Sequence, residues 1–282
     1  MLCRHRCSAG THAPEAVSAH AWADFFAGLV HADELASVVV RIAPLDEVQQ
    51  ICGPDALGCY GGGVIVVPGE GVSDVTPEMI ARHEYGHHVA ANRVNPPWQA
   101  IDWGPKRWAT REGICARVQS GTALPGDEGL GYTQNPGEAF AEAYRVLNEH
   151  RAGLPLTWPI VDGSFVPDDA DLAAVEADVT APWLRPTVRV YRSRFRAGGP
   201  KRWRTSVATP LDGLVSVVFR LPAGSVHRLR VLAPGGRELG RGSWAGLRVQ
   251  KVSFPVCGAR TTTLVVTRDG PPGPVSLTVT AP

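Results

Sequence analysis

The chain has 282 residues, 44% hydrophobic and 20% charged, enough apolar material for real cores but with no run long enough to span a membrane. Its formal net charge is +1, so the chain as a whole offers no electrostatic case for a nucleic-acid partner. Glycine (31) and proline (24) are plentiful, which argues against a long helical bundle and for loops and turns.

Residues 1–20 carry basic side chains but no apolar core after them, so they read as a loose tail or leader remnant rather than a signal peptide. Cys3 and Cys7 in this stretch are not assigned a metal. From Ala21 the pattern turns globular. AWADFFAGLVHADEL (21–35) has helical spacing, with Trp22, Phe25, Leu29 and Leu35 on one side. SVVVRIAP (37–44) reads as a strand and LDEVQQIC as a short helix. In CGPDALGC, glycine and proline let the chain fold back, which predicts a disulfide between Cys52 and Cys59. Val64–Val67 is a second strand; its flanking glycines and Pro68 predict an edge position. Thr76 is a good helix cap, Pro77 fits the first helical position, and Pro96–Pro97 forbids continuation, so a helix is expected from 77 to about 92. Trp98, Trp103 and Trp108 then fall in a proline-broken segment and read as packing beneath a long loop, the alternative being the lining of a substrate pocket. Asn135 and Pro136 open a second clear helix, NPGEAFAEAYRVLNEH, and residues 168–179 form a third.

The composition shifts after Pro182. VRVYRSRF, GLVSVVFRL, HRLRVLA, LRVQKVSF, TTTLVVTR and PVSLTVT are short β-rich runs, and APGG and DGPPG look like hairpin connections. Together they indicate a β-sandwich. The expected fold class is therefore α+β: a tail (1–20), a mixed domain (21–182) and an all-β domain (183–282). The seven basic residues between Arg189 and Arg204, interleaved with Tyr191, Phe195 and Trp203, read as a strand with one solvated cationic face at a domain junction; the alternative is a polyanion site.

HEYGHH (83–88) lies in the middle of the 77–92 helix. Residues i and i+4 share a helix face, so His83 and His87 reach a common ion through neutral imidazole nitrogens. Glu84 is offset by one residue, which sets its carboxylate beside the ion, where it can deprotonate a water. This is the physical logic of the HExxH pattern. His88 points about 100° away from His87 and reads as a packed or surface histidine. A catalytic zinc site needs a third protein ligand. A histidine six residues after His87 is absent, because Arg93 stands there. NPGEAFAEAY supplies Glu138 and Glu142 on one helix face. Glu138 is the better ligand. Glu142, one turn on, either accepts the free ring N–H of a ligating histidine or serves as the fallback ligand.

HExxH followed about 50 residues later by a Glu-bearing helix resembles the gluzincin metallopeptidases. HEYGHH with NPGEAFAEAYR is similar to the anthrax lethal factor-like branch, and also to short secreted bacterial zinc peptidases of unassigned specificity. The resemblance implies a zincin-like catalytic domain with Zn2+ on His83, His87 and Glu138 and Glu84 as general base. It also implies a tyrosine that stabilises the tetrahedral oxyanion, for which Tyr132 is the nearest match. In such a fold the 64–68 strand forms the upper rim of the cleft, where an extended polypeptide substrate adds by main-chain hydrogen bonds. The C-terminal sandwich resembles the small β domains that trail many secreted bacterial peptidases, which implies polymer or cell-surface contact. With the disulfide, it favours a secreted protein. The expected function is zinc-dependent hydrolysis of peptide bonds; the alternative is a non-enzymatic secreted binding protein whose zinc region is structural or a relic.

Overall fold

A computed structural model describes residues 18–157, 161–221, 224, 226–242 and 249–282. Cys3, Cys7 and most of the tail lie outside the described residues. The chain forms two compact units that change over between Trp183 and Leu184.

The N-terminal unit opens with helix α1 (Ala19–Ala27), capped by Ser18. This helix is shorter than its spacing predicts: it stops at Gly28, and the chain resumes as a tight turn at Asp33–Ser37. Trp22, Phe26, Leu29 and Val30 are the buried apolar residues of this stretch, with Phe25 only partly covered. Strand β1 (Val39–Ala43), helix α2 (Leu45–Cys52), strand β2 (Cys59–Gly61) and strand β3 (Val64–Pro68) follow. The expected disulfide joins Cys52 to Cys59, tying the end of α2 to the start of β2.

The sheet order is β1-β3-β2, with β1 parallel and β2 antiparallel to β3. Strand β3 is therefore central, not the edge that its glycines and Pro68 predict. The proline is tolerated because β2 pairs only Val64–Val66, so the ladder on that side has ended before Pro68 and the missing N–H breaks nothing. An extended peptide cannot add alongside β3; on that side of the sheet β2 is the free edge.

Helix α3 (Pro77–Ala91) starts as expected, with the Thr76 hydroxyl accepting from the Met79 N–H at 3.2 Å. Short helices α4 (Ala100–Trp103), α5 (Lys106–Arg111) and α6 (Ile114–Ser120) occupy the Trp-rich stretch. Trp108 is fully buried, edge-on to Phe140, so it packs rather than lines a pocket. Helix α7 (Pro136–Arg151) is capped by Asn135, and α8 (Asp169–Thr180) by Asp168 in a capping box. Helices α3 and α7 pack face to face and supply most of the core, including Tyr85, Val89, Phe140 and Tyr144. His88 is buried inside this unit; its ring hydrogen-bonds the Glu34 carbonyl at 2.9 Å and meets the Tyr60 hydroxyl at 3.3 Å.

The C-terminal unit is a β-sandwich. Its strands are β4 (Thr187–Phe195), β5 (Arg202–Thr209), β6 (Gly213–Arg220), β7 (His227–Leu232), β8 (Glu238–Gly242), β9 (Val249–Val256), β10 (Arg260–Arg268) and β11 (Gly273–Ala281). They make two four-stranded sheets, β5-β10-β7-β8 and β4-β11-β6-β9, paired antiparallel throughout. Inward residues of both sheets, such as Phe219, Leu229, Phe254 and Leu277, share one core. APGG is a hairpin connection as expected. DGPPG is not: it carries the chain from β10 in one sheet to β11 in the other. Strands β5 and β8 lie in arginine- and glycine-rich sequence that carries little strand signal.

Candidate metal centre

Two helices build the site. Helix α3 carries His83, Glu84 and His87, and the first turns of α7 carry Glu138 and Glu142. The helices approach closely at one glycine. A Cβ on Gly86 would lie 2.7 Å from the Ala141 Cα and 3.0 Å from its carbonyl oxygen, a distance that real side chains do not tolerate. Glycine inside a helix costs roughly 1 kcal/mol relative to alanine. Here it lets the α7 backbone pass close enough for Glu138 to reach both histidines.

The result is a tight cluster. His83 Nε2 lies 3.0 Å from Glu138 Oε2, His87 Nε2 lies 3.3 Å from Glu138 Oε1, and the two Nε2 atoms are 3.1 Å apart. Among the described residues, these three each offer a ligand atom within 4.8 Å of the others. A tetrahedral zinc with bonds of about 2.0–2.1 Å holds its ligand atoms about 3.3 Å apart. The residues present therefore fit such an ion, two imidazole nitrogens and one carboxylate converging from two helices.

Electrostatics favours a cation here. Burial works against the Glu138 carboxylate, but His87 and His83 hold it well below the usual carboxylate range. Burial likewise opposes charge on His83, yet the Glu138 and Glu142 carboxylates outweigh it and raise the imidazole well above its ordinary value. Glu142 is fully buried and sets Oε1 3.6 Å from His83 Nδ1, just beyond hydrogen-bond length. Its other oxygen is held by Arg145 Nε at 2.5 Å. The same guanidinium donates to Glu149 at 2.5 Å and to the Thr157 carbonyl at 2.6 Å. A chain His83–Glu142–Arg145–Glu149 thus runs from the site into the core.

Glu84 is buried and stands apart from the three ligand residues. Burial raises its pKa, and His83 and His87 only partly offset this. Beside it lies the disulfide-closed loop: a Cβ on Gly58 would meet Ile80 Cγ2 at 2.6 Å and Glu84 Oε1 at 3.0 Å. Tyr132, on a tight turn (Tyr132–Gln134) just before α7, donates its hydroxyl to Glu138 Oε2 at 2.7 Å. Burial and the Glu138 charge raise this phenol well above its ordinary pKa, so it remains a donor.

The structure brings His83, His87 and Glu138 together, with Tyr132 on Glu138 and Glu142 behind His83; Glu84 is buried on the same helix as the two histidines but outside the three-residue group. Sequence reasoning missed the Gly86 crossing, Gly58 against Glu84, and the Arg145 clamp. The glycine inside HEYGHH and the arginine three residues after Glu142 were signals for the first and last; nothing local points to Gly58.

No protein-family model matches the chain, and no curated protein matches it. Solved structures with some likeness include the pre-peptidase C-terminal domain of collagenase from Bacillus anthracis (13% identity, 32% of this chain, 87% of that one, TM-score 0.29). The mitogen from Yersinia pseudotuberculosis (13% identity, 34% and 87%, TM-score 0.27) is another. A third is PliG of Aeromonas hydrophila, a periplasmic inhibitor of g-type lysozyme (14% identity, 34% and 85%, TM-score 0.24).

Proposed function

We propose that this protein is a secreted zinc-dependent peptide hydrolase of gluzincin type, with a zincin-like N-terminal unit. The observation that carries the reading is the convergence of His83, His87 and Glu138 at 3.0–3.3 Å, with Glu84 alongside. Two imidazoles and one carboxylate suit zinc, leave a position for water, and match the donor set of hydrolytic rather than structural sites. The Cys52–Cys59 disulfide is compatible with an oxidising compartment.

Zinc, when bound, makes water acidic near neutral pH and polarises the scissile carbonyl. Glu84, buried and raised in pKa, takes the proton from the attacking water and passes it to the leaving amine. Tyr132, kept protonated, supplies a hydrogen-bond donor for the oxyanion by releasing Glu138. Glu142, 3.6 Å behind His83 Nδ1, is the carboxylate that would fix the tautomer and orientation of that ring once the pair draws within hydrogen-bond reach.

The test is metal content by mass spectrometry, followed by cleavage of casein or a peptide library with and without a chelator. Bound zinc, chelator-sensitive cleavage, and a Glu84→Gln variant that keeps zinc but loses hydrolysis are the expected results. Full hydrolysis by Glu84→Gln would overturn the base assignment. Zinc bound without any cleavage would leave a non-enzymatic binding protein.

A further inference from the structure

The net charge of +1 conceals a segregation. From Leu184 to Pro282 there are seventeen lysines and arginines of the chain's 28, but only three of its 27 acidic residues: Asp212, Glu238 and Asp269. The N-terminal part is correspondingly acidic. Charge asymmetry of this size between halves is a signature of a charged partner, and it is invisible in the total.

The sandwich does not spread these cations evenly. Strand residues alternate between core and outside. On the sheet β5-β10-β7-β8, three outward arginines have answers: Arg228 pairs with Asp269 at 2.7 Å, and Arg230 and Arg241 pair with Glu238 at 2.7 and 2.8 Å, while Arg202 and Arg204 at the β5 edge stand exposed without an ion pair among the described residues. The outer face of β4-β11-β6-β9 differs. Arg192 and Arg194 on β4, Arg220 on β6 and Lys251 on β9 are exposed there. No acidic residue shares that face, and none of the four has an ion-pair partner among the described residues. Arg192 and Arg220 both register with Ser276 on the strand between them, so their backbones sit about 10 Å apart across the sheet. Arg192 and Arg194 are about 7 Å apart along β4.

We propose that this face binds a linear anionic polysaccharide, its sulfate, phosphate or carboxylate groups taken by Arg192, Arg194, Arg220 and Lys251. The charges form an open array along and across the strands of one face, and Ser276 and Thr278 between them offer hydroxyl partners to sugars. Single-stranded nucleic acid calls for aromatic stacking platforms, and among the described residues this face carries no aromatic side chain. A lipid surface calls for anchoring Trp or Phe side chains, whereas the exposed apolar groups among the described residues of this face are the aliphatic Val188, Val190, Leu214 and Val249. The inference does not rest on the metal centre.

The test uses the full-length chain, heparin as the sulfated probe, neutral dextran, oligothymidylate, and phosphatidylserine-containing vesicles. Heparin is expected to bind with affinity falling steeply as salt rises, and dextran not at all. The variant Arg192→Gln/Arg194→Gln/Arg220→Gln should weaken heparin at least ~10-fold near 0.1 M salt and flatten the salt dependence. Arg228→Gln/Arg230→Gln/Arg241→Gln removes as many charges from the other face and should weaken it less than about threefold. Circular dichroism and thermal midpoint should be unchanged in both variants. Equal losses would mean diffuse charge rather than this face. Tighter binding to oligothymidylate or vesicles at matched salt would make the partner class wrong. Absence of heparin binding, with salt-sensitive self-association lost in the first variant, would assign the face to the acidic unit of a second copy.

Discussion

In the N-terminal unit the charges around the three ligand residues are buried and paired: Glu142 and Arg145 are 0% and 2% exposed and in direct contact, and Glu138 meets two imidazoles and a phenol. In the β unit the decisive charges stand on an open face with no counter-charge. The contrast is one of purpose. A buried charge is tolerated only when paired, and pairing fixes its geometry, which chemistry needs. An exposed cation costs little to leave unpaired and stays free for an external anion, which adhesion needs. The two sets also differ in their response to salt: burial shields the first, whereas the second is screened within roughly 10 Å at 0.1 M.

The sharpest way to break the comparison is at Glu84. Replacement by Gln should lower peptide cleavage by about 10²–10⁴-fold while zinc content holds, read by single-turnover kinetics and mass spectrometry. Next is Arg145→Met, which leaves Glu142 and Glu149 buried without their partner. It should cost about 3–5 kcal/mol of stability, measured by urea unfolding; a loss below ~1 kcal/mol would show that the clamp is dispensable. Glu142→Gln should reduce zinc affinity by about 10–100-fold, by competition with a chelating dye. Zinc affinity should also weaken as pH falls, because protons compete for the ring nitrogens. The raised pKa of His83 makes that loss begin at higher pH than for an ordinary imidazole. Gly86→Ala should cost about 1–3 kcal/mol through overpacking, against little for Gly163→Ala, where a Cβ meets nothing. Smallest of all, Arg230→Ala in its exposed ion pair should change stability by less than about 1 kcal/mol.

Much of the site is legible in sequence because its rules are local. The i, i+4 spacing of His83 and His87, the caps at Thr76 and Asn135 and the prolines after them all act within a few residues. The central placement of β3 is not legible, since it depends on a parallel partner reached through α2 and on a β2 only three residues long. Gly58 beside Glu84 is likewise a contact made only after folding. Strands β5 and β8 escape because arginine and glycine mask their alternation. The charge segregation is readable, but only when the halves are counted separately.

At Gly86 and Ala141 the two ligand-bearing helices touch backbone to side-chain-free backbone. Their separation is therefore set by main-chain atoms, not by rotamers that drift as a core changes. Neighbouring core positions such as Val89 and Leu147 can exchange one aliphatic for another over generations without altering the reach from Glu138 to the imidazoles. The protein's ancestry should show a fluid interior around an invariant crossing point, with glycine the residue least free to vary.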